Sequence, residues 1–430
     1  MRDAGSRWQK VFYSFGQIGN GAYNGINNAV LTLYVSGFTG NPFIIGYLGN
    51  SRTMEGVVIQ PLVGGWSDRM AGPLGRRRPF ILFGVPLSVL FLVLVPILGH
   101  AGHSLALPLI AGSIILFSIT WNIAQDPYSA LMIDITAPGK RSKFNAVLSI
   151  LALVGQIGIV AYASVAALKK NNIPDVVFYI CAAIMLLSYV VVFFGVREPK
   201  EAATIARVEE KIPLATYIAE MRVFKEAIKL LVSIFFLWNG LNAILPFIST
   251  FPIKIVHASK SQALIIYVMI ILSSAIFAYP FGWLGARYGN RRMIIVGTVI
   301  LIAAALVGLV VPSYFWLFPL AVLAGCGFSA TTVLTYPYLS QLIPGSKIGV
   351  FTGLQTAFSA VAVPLSTVVT GTLINFFGYR SIFAMLAVMM VADIVCLLLI
   401  DEAAAHQQVR DVEEAERLVA GSVHSVAVSH

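Results

Sequence analysis

The chain is poor in charge, poor in cysteine and empty of any short greasy leader, and each shortage removes a class of protein. Only 11% of its 430 residues are charged while 58% are hydrophobic, far from the composition of a soluble domain. That much apolar surface cannot be kept from water, so lipid must be its solvent. Three cysteines, Cys181, Cys326 and Cys396, each fall inside an apolar run, which excludes both a disulfide framework and a thiolate metal centre. They read as small packing residues. No compact nucleophile and base set or metal-ligand cluster stands out, so neither an enzyme nor a cofactor or metal protein is expected. The first apolar run carries Gln17, Asn20, Asn24, Asn27 and Asn28, unlike the uniformly apolar core of a cleaved signal. It is expected to stay in the mature protein.

What is present is a series of apolar runs, each able to cover a hydrocarbon layer of about 30 Å. They lie at 10–35, 42–66, 79–99, 104–135, 144–168, 174–196, 228–252, 262–286, 292–311, 314–341, 348–374 and 380–400. Being continuous and rich in Leu, Ile, Val and Ala, they predict an all-α membrane protein with twelve transmembrane helices rather than a barrel of short alternating strands.

Basic residues orient the chain. Arg69, Arg76, Arg77 and Arg78 follow the second run, Lys140, Arg141 and Lys143 the fourth, and Arg287, Arg291 and Arg292 the eighth; the opposite loops carry fewer. Both termini are therefore expected in the cytoplasm of a multi-pass plasma membrane, the inner membrane in a bacterium. Topology thus accounts for the net charge of +10, and no basic module suited to nucleic acid is visible.

The sequence repeats itself. Gln60-Pro-Leu-Val-Gly64-Gly-Trp-Ser-Asp68-Arg69, continuing to Gly75-Arg76-Arg77-Arg78-Pro79, has a weaker copy in Gly282-Trp-Leu-Gly-Ala-Arg287-Tyr-Gly289-Asn-Arg-Arg292, and Asp126-Pro127-Tyr128 has a counterpart in Tyr336-Pro337-Tyr338. Matching breaks in both halves indicate a duplicated membrane carrier. The expected division is a six-helix bundle over 1–196, a cytoplasmic linker over 197–227, a pseudo-symmetric six-helix bundle over 228–400 and a tail over 401–430.

Polar residues inside apolar runs are the candidate site, because a charge at that depth must face protein or a cavity. Arg52 and Glu55 share a face at i, i+3, and read either as a structural ion pair or as a proton-exchanging acid tuned by its neighbour. Asp126 stands ~15 Å from the end of its helix at 1.5 Å per residue, near the bilayer midplane. Glu55 and Asp126 are the proton-coupling candidates. Asn20, Asn24, Asn27, Asn122 and Ser129 are the candidate ligand contacts of the first half, and Trp238, Asn239, Asn242, Tyr336, Tyr338 and Gln355 those of the second. Amides both donate and accept, which suits a neutral hydroxylated solute better than an anion. Gly64, Asp68, Arg69, Arg76, Arg77, Asp134, Gly282 and Arg287 are the candidate conformational latch, in which Gly64 permits close approach and the arginines hold the loop to an anionic leaflet. Helix packing and topology anchoring are the competing readings, and Asp393 reads as a structural group.

The hinge, followed by Phe80 and Ile81, together with Asn122-Ile-Ala-Gln125-Asp126-Pro127-Tyr128-Ser129-Ala130-Leu131-Met-Ile-Asp134, resembles the sugar-proton symporters of the plant sucrose-transporter and animal SLC45 type, related to the glycoside-pentoside-hexuronide carriers within the major facilitator superfamily. The resemblance implies the major facilitator fold and alternating access. It implies proton-coupled uptake of a small neutral sugar-like solute, a disaccharide or glycoside, by a monomer whose partners are solute, protons and the bilayer. There are departures: Ser129 stands where sucrose carriers have arginine, Ser118 near their acidic position, and Asp126 where glycine is usual. Gly56 and Gln60 replace the paired acids of sodium-coupled relatives. An uncoupled facilitator and a proton-driven efflux carrier for an amphipathic molecule remain alternatives.

Overall fold

The structure is a computed structural model, and it describes residues 6–67, 75–137, 140–168, 171–197 and 223–414. The expectations for Asp68 and Arg69, and for most of the linker and the end of the tail, lie outside the described residues. The chain is all-helical there. Helices α1 (Arg7–Gly25) and α2 (Leu31–Val35) flank a π-helical turn, Ile26–Val30; α3 (Pro42–Gly49) and α4 (Ser51–Ser67) follow. Then come α5 (Arg78–Gly99), α6 (His103–Ile135), α7 (Arg141–Ala167) and α8 (Val176–Gly195). The remainder comprises α9 (Lys225–Ile244), α10 (Thr250–Val256), α11 (Lys260–Tyr288), α12 (Asn290–Val310), α13 (Leu317–Leu339), α14 (Ile348–Phe377), α15 (Ser381–Leu398) and a short helix over 402–414, α16.

Local chemistry sets several starts. Ser6 caps α1 reciprocally with Gln9, and Ser259 caps α11 with Gln262, so each satisfies two orphan backbone groups. Asn41 accepts from Phe43 N ahead of Pro42, a residue preorganised for the first helical position.

Ten helices among the described residues are long and apolar enough to cross a membrane. The first two predicted runs differ from the expected uninterrupted helices. One contains the π-helical turn that holds Asn27 and Asn28, and the other breaks at Asn50, whose backbone (φ −111°, ψ 10°) ends α3. An apolar-run reading cannot see such breaks, because they change backbone geometry without changing hydropathy. Breaks of this kind are tolerated in a membrane where protein or a cavity receives the freed groups.

Packing partners fall into two groups. Helix α1 packs on α7 and α8, α6 on α4 and α5, and α5 on α8; in the other group α13 packs on α11 and α12, and α9 and α12 on α15. The α1–α7 crossing is the closest approach. A Cβ on Gly155 would lie 2.1 Å from the Ile18 carbonyl oxygen, and one on Gly21 1.9 Å from that of Ala152. Without a hydrophobic drive between helices in lipid, such backbone proximity supplies the attraction.

Contacts between the groups run from the midplane toward the end opposite Arg7. Asn50 Nδ2 donates to Thr367 Oγ1 (3.1 Å), Gln156 Nε2 to the Tyr267 hydroxyl (2.9 Å) and Ser249 Oγ to the Ala29 carbonyl (3.1 Å), while the Ser164 and Ser261 hydroxyls meet at 3.1 Å. At this end these neutral bonds are joined by Lys260 Nζ donating to Asn172 Oδ1 at 3.0 Å.

The glycine crossing gives a direct test. Gly155→Val should destabilise the fold by about 1–3 kcal/mol or more through overpacking, read as a lower melting temperature of the purified protein. Gly158→Ala, three residues on and facing open space, should leave it unchanged. Equal melting of both variants would contradict the packing argument.

Candidate functional site

The site is organised by one cation. Arg52 enters from the first turn of α4, immediately after the break at Asn50. Its guanidinium donates to Asn24 Oδ1 of α1 and lies 5.3 Å over the Tyr23 ring. Its backbone carbonyl accepts from Asn122 Nδ2 of α6 at 2.9 Å. Three helices therefore converge on one residue.

Behind this polar face stands an aromatic wall. Tyr23 stacks on Trp121 at 4.4 Å with rings nearly parallel (6°), Trp121 meets Tyr189 edge-on at 5.4 Å, and the Tyr189 hydroxyl donates to Gln125 Oε1 at 2.8 Å. One turn further, Tyr13 and Tyr128 stack at 4.4 Å and exchange hydroxyl-to-carbonyl bonds of 3.0 and 2.8 Å. Packing and bonding together fix the ring orientations.

The two acids take different surroundings. Glu55 Oε1 accepts from the Tyr47 hydroxyl at 3.5 Å, the Ser118 hydroxyl lies beside the same carboxyl, and Oε2 is buried without a partner. Asp126 also has a buried oxygen, Oδ2, without a partner, and the charge acting on it is that of Arg52. Among the described residues Arg52 and Glu55 form no ion pair; the guanidinium turns to Asn24 instead. The ion-pair reading from i, i+3 spacing is thus corrected: the partner helix offered Arg52 a better-placed acceptor. Orphaned polar atoms recur around this group, including Asn122 Oδ1, Trp121 Nε1 and the Tyr23 hydroxyl. Buried polar atoms of this kind call for an explanation.

Not every expected contact joins them. Asn27 is 1% exposed and donates to Asn28 Oδ1 and the Gly49 carbonyl, so it fastens the π turn to α3. Asn20 donates to Gln17. Ser129 is exposed and 3.5 Å from Gln125 Nε2. Asn239 is tied to α14 through the Ala362 carbonyl and Ser366, and Asn242 donates to its own helix at Trp238 O. Half-buried Trp238 packs against both apolar cores, and Gln355 keeps an unpartnered Oε1.

Tyr336 and Tyr338 do not share a wall. Tyr336 is 48% exposed, whereas Tyr338 is 1% exposed in the core beside α16, facing Glu402. Two residues on a helix point about 200° apart, which sequence matching of the two Pro-Tyr motifs overlooked.

The latch residues that are described act within one group. Asp134 receives Arg76 Nη2 at 3.3 Å and Arg77 Nε at 3.1 Å, while Arg78 donates to the Phe193 carbonyl at 2.6 Å and rests on its ring. Gly64 sits in the last turn of α4. In the second copy Arg287 lies over the rings of Trp283 and Tyr288, and Gly282 faces open space. The pressed glycine there is Gly285, where a Cβ would meet Leu334 at 2.5 Å.

Sequence reading missed Tyr23, Trp121, Tyr189, Tyr47, Gln156, Tyr267, Asn50 and Thr367. Aromatics spaced along three apolar helices carry no signal of convergence. Asn50 was the exception, a polar residue in mid-run next to Arg52.

The sequence model of the Major Facilitator Superfamily matches residues 13–256 and 230–428. The chain belongs to this superfamily. It is a transporter of the major facilitator fold. It is similar to the sucrose transport protein SUC3 of Arabidopsis thaliana, with 31% identity over 24% of this chain and 20% of that protein. To the proton-associated sugar transporter A of Homo sapiens it is 32% identical over 23% of this chain and 15% of that protein. The uncharacterized symporter YjmB of Bacillus subtilis aligns over 78% of this chain and 74% of its own length at 24% identity. The first of these matches thus spans about a fifth of the relative's length. Among solved structures, a D-xylose-proton symporter superposes with a TM-score of 0.73 at 15% identity, covering 92% of this chain and 98% of that one. The nucleoside transporter NupG gives 0.72 at 13%, over 91% and 98%. At these identities the structural likeness establishes the fold.

For this superfamily member the Asp134 cluster is testable apart from transport. Asp134→Ala removes the carboxylate that Arg76 and Arg77 contact at 3.3 and 3.1 Å, and should cost up to about 3 kcal/mol. A melting curve unchanged from the parent would remove the cluster from the account of stability.

Proposed function

We infer that the chain is a proton-coupled importer of a small neutral sugar-like solute, a disaccharide or glycoside, working by alternating access as a monomer. In this reading twelve membrane crossings form two six-helix bundles, 1–196 and 228–400, joined by the segment 197–227. The two broken runs, Arg7–Val35 and Pro42–Ser67, supply the first two crossings. Both termini face the cytoplasm, since Arg76, Arg77, Arg78, Arg141, Arg287 and Arg291 gather at the end that holds Arg7, as the distribution of basic residues requires.

The observation that carries this reading is the pair of acids around Arg52, each with a buried oxygen that has no hydrogen-bond partner among the described residues. Arg52 bonds the neutral amide of Asn24 instead of either acid, and the hydroxyls beside the Glu55 carboxyl, those of Tyr47 and Ser118, are neutral. Glu55 is therefore the proton carrier, and Asp126 the acid that competes with Asn24 for Arg52. Protonation of Glu55 removes a net negative charge from a lipid-sheltered site, which is the change that lets the empty or loaded carrier reorient. Coupling follows only if the proton binds one state more tightly than the other. Solute hydroxyls would bond the amides of Asn24 and Asn122 and the indole N–H of Trp121, with the neutral amide lining favouring an uncharged ligand. The names of the relatives, sucrose transport protein and proton-associated sugar transporter, support the same class. Reorientation toward the outside requires the seal of Asn50–Thr367, Gln156–Tyr267 and Ser249–Ala29 to part.

Reconstituted vesicles with an imposed pH gradient test this, screened over disaccharides, glycosides, monosaccharides and polyols. Glu55→Gln and Asp126→Asn should retain solute exchange at equal concentration while proton-driven accumulation falls at least tenfold. Accumulation at the parental level in both variants, with normal insertion, would refute the assignment. Uptake indifferent to pH and potential would instead indicate a facilitator, and export of a hydrophobic dye without sugar competition an efflux carrier.

The seal predicts a second outcome. Thr367→Val removes the acceptor of Asn50 and should shift the carrier toward the outward-open state, read as faster labelling of a cysteine placed at Ser249 by a membrane-impermeant reagent. Slower or unchanged labelling would argue against this bond as part of the gate.

A further inference from the structure

The duplicated hinge has diverged, and its second copy is left with cations that no acid answers. In the first copy Arg76 and Arg77 are each 6% exposed and turn inward to Asp134, while Arg78 reaches the Phe193 carbonyl. The second copy, Ala286-Arg287-Tyr288-Gly289-Asn290-Arg291-Arg292, contains no acid. Arg291 turns inward and donates to the Leu398 carbonyl at 2.9 Å. Arg287 and Arg292 are exposed, and neither forms an ion pair or a side-chain hydrogen bond.

Each of these two arginines heads an exposed stripe. On α11 Leu272, Ile276, Tyr279, Trp283 and Arg287 recur at three- and four-residue spacing, and on α12 Arg292, Val296, Val299, Ala303 and Leu306 do the same, so each set is one face of its helix. Other faces of α11 and α12 pack on α13, which leaves these stripes to the bilayer. Along α11 the order is aliphatic, then aromatic, then cationic, matching hydrocarbon, interface and headgroup. Trp283 and Tyr279 stand about 6 and 12 Å from Arg287 along the axis, at 1.5 Å per residue. Gly289 turns the chain between the helices in one residue at φ 96°, a conformation suited to glycine. Two adjoining helices thus bring unpaired guanidinium groups to one headgroup layer.

Arg287 is already placed for a ligand. Its guanidinium lies 5.3 Å from the centre of the Trp283 ring and 5.5 Å from that of Tyr288. Cation–π attraction acts on the charge and uses none of the N–H donors, so the fork that matches phosphate oxygens stays available. Two such cations without an acid favour a headgroup of net negative charge, because a zwitterionic one brings a cation of its own to the site.

We infer that the α11–α12 turn binds an anionic phospholipid, with its phosphate held by Arg287 and Arg292 and an acyl chain laid along Trp283 and Tyr279. The site lies at the opposite end of α11 from Ser261 and Tyr267, which meet the first packing group. A lipid fastened there fixes the depth and tilt of the helix that carries part of the outer seal, as interfacial anchors do.

Purified full-length protein in detergent, titrated with phosphatidylglycerol or phosphatidylcholine, tests this by native mass spectrometry and by melting. The parent should retain phosphatidylglycerol at least about fivefold over phosphatidylcholine and melt at least about 3 °C higher in it. The double variant Arg287→Gln, Arg292→Gln loses charge-assisted phosphate bonds, so its affinity for phosphatidylglycerol should fall about tenfold and most of the melting gain should vanish. Arg287→Lys keeps the charge without the fork and should bind about threefold more weakly than the parent. Lys143→Gln removes an exposed cation from the start of α7 and should leave both readouts unchanged. The proposal is overturned if the parent retains the two lipids equally, if the double variant binds like the parent, or if Lys143→Gln is impaired as much as the double variant. A melting gain reproduced by inorganic phosphate alone would make the ligand a free anion and overturn it too. Should the double variant fail to insert, Arg287→Lys decides, and parental affinity there sinks the site. No transported solute enters these measurements, so their outcome is independent of the transport reading.

Discussion

A guanidinium in a lipid-sheltered interior must be satisfied from several sides, and much of the first half is arranged around that requirement. Arg52 reaches Asn24, covers Tyr23 and receives Asn122 on its own carbonyl. To bring it there the second apolar run breaks at Asn50, and the first run widens into a π turn directly after Asn24 and Gly25. Single-turn π segments inside helices are frequent at functional positions. Here the turn also places Asn28 near Tyr267 of the opposite group, so the irregular backbone serves both the site and the seal.

The acids divide according to what Arg52 does. Its side chain is directed to a neutral amide and closes into an ion pair with neither acid among the described residues. The hydroxyl that bonds Glu55 is that of Tyr47. The departure at Ser118 gains meaning from this geometry: the position near which the resembling sucrose carriers hold an acid lies beside the Glu55 carboxyl in this chain.

Rigid and labile contacts are segregated. The α1–α7 crossing brings glycines against backbone, and the Asp134 cluster and the Tyr13–Tyr128 exchange lock α5, α6 and α1 by buried bonds. Many of the hydrogen bonds between groups among the described residues are single neutral ones, such as Asn50–Thr367, Ser249–Ala29 and Ser164–Ser261. A neutral bond contributes only about 0.5–1.5 kcal/mol net, so several can break together in a transport cycle while each half keeps its shape. That division is what movement of packed bodies around a fixed site requires.

Composition and apolar run length settled the solvent, the helical class and the positions of most membrane helices, because hydropathy is additive along a chain and needs no knowledge of neighbours. The repeated hinge located a real cluster at Arg76, Arg77 and Asp134, and mid-run polarity marked Arg52, Glu55 and Asp126, since a charge in lipid is costly wherever it points. Direction was not legible. That Tyr338 turns into a core and Tyr336 away from it, that Asn27 fastens a turn, that Arg52 prefers Asn24 to Glu55, and that Gly285 rather than Gly282 is pressed, all depend on which helix lies alongside. Those choices belong to the tertiary structure, because a side chain's partner is fixed by the rotation and crossing of whole helices, and the spacing of residues within one helix constrains neither.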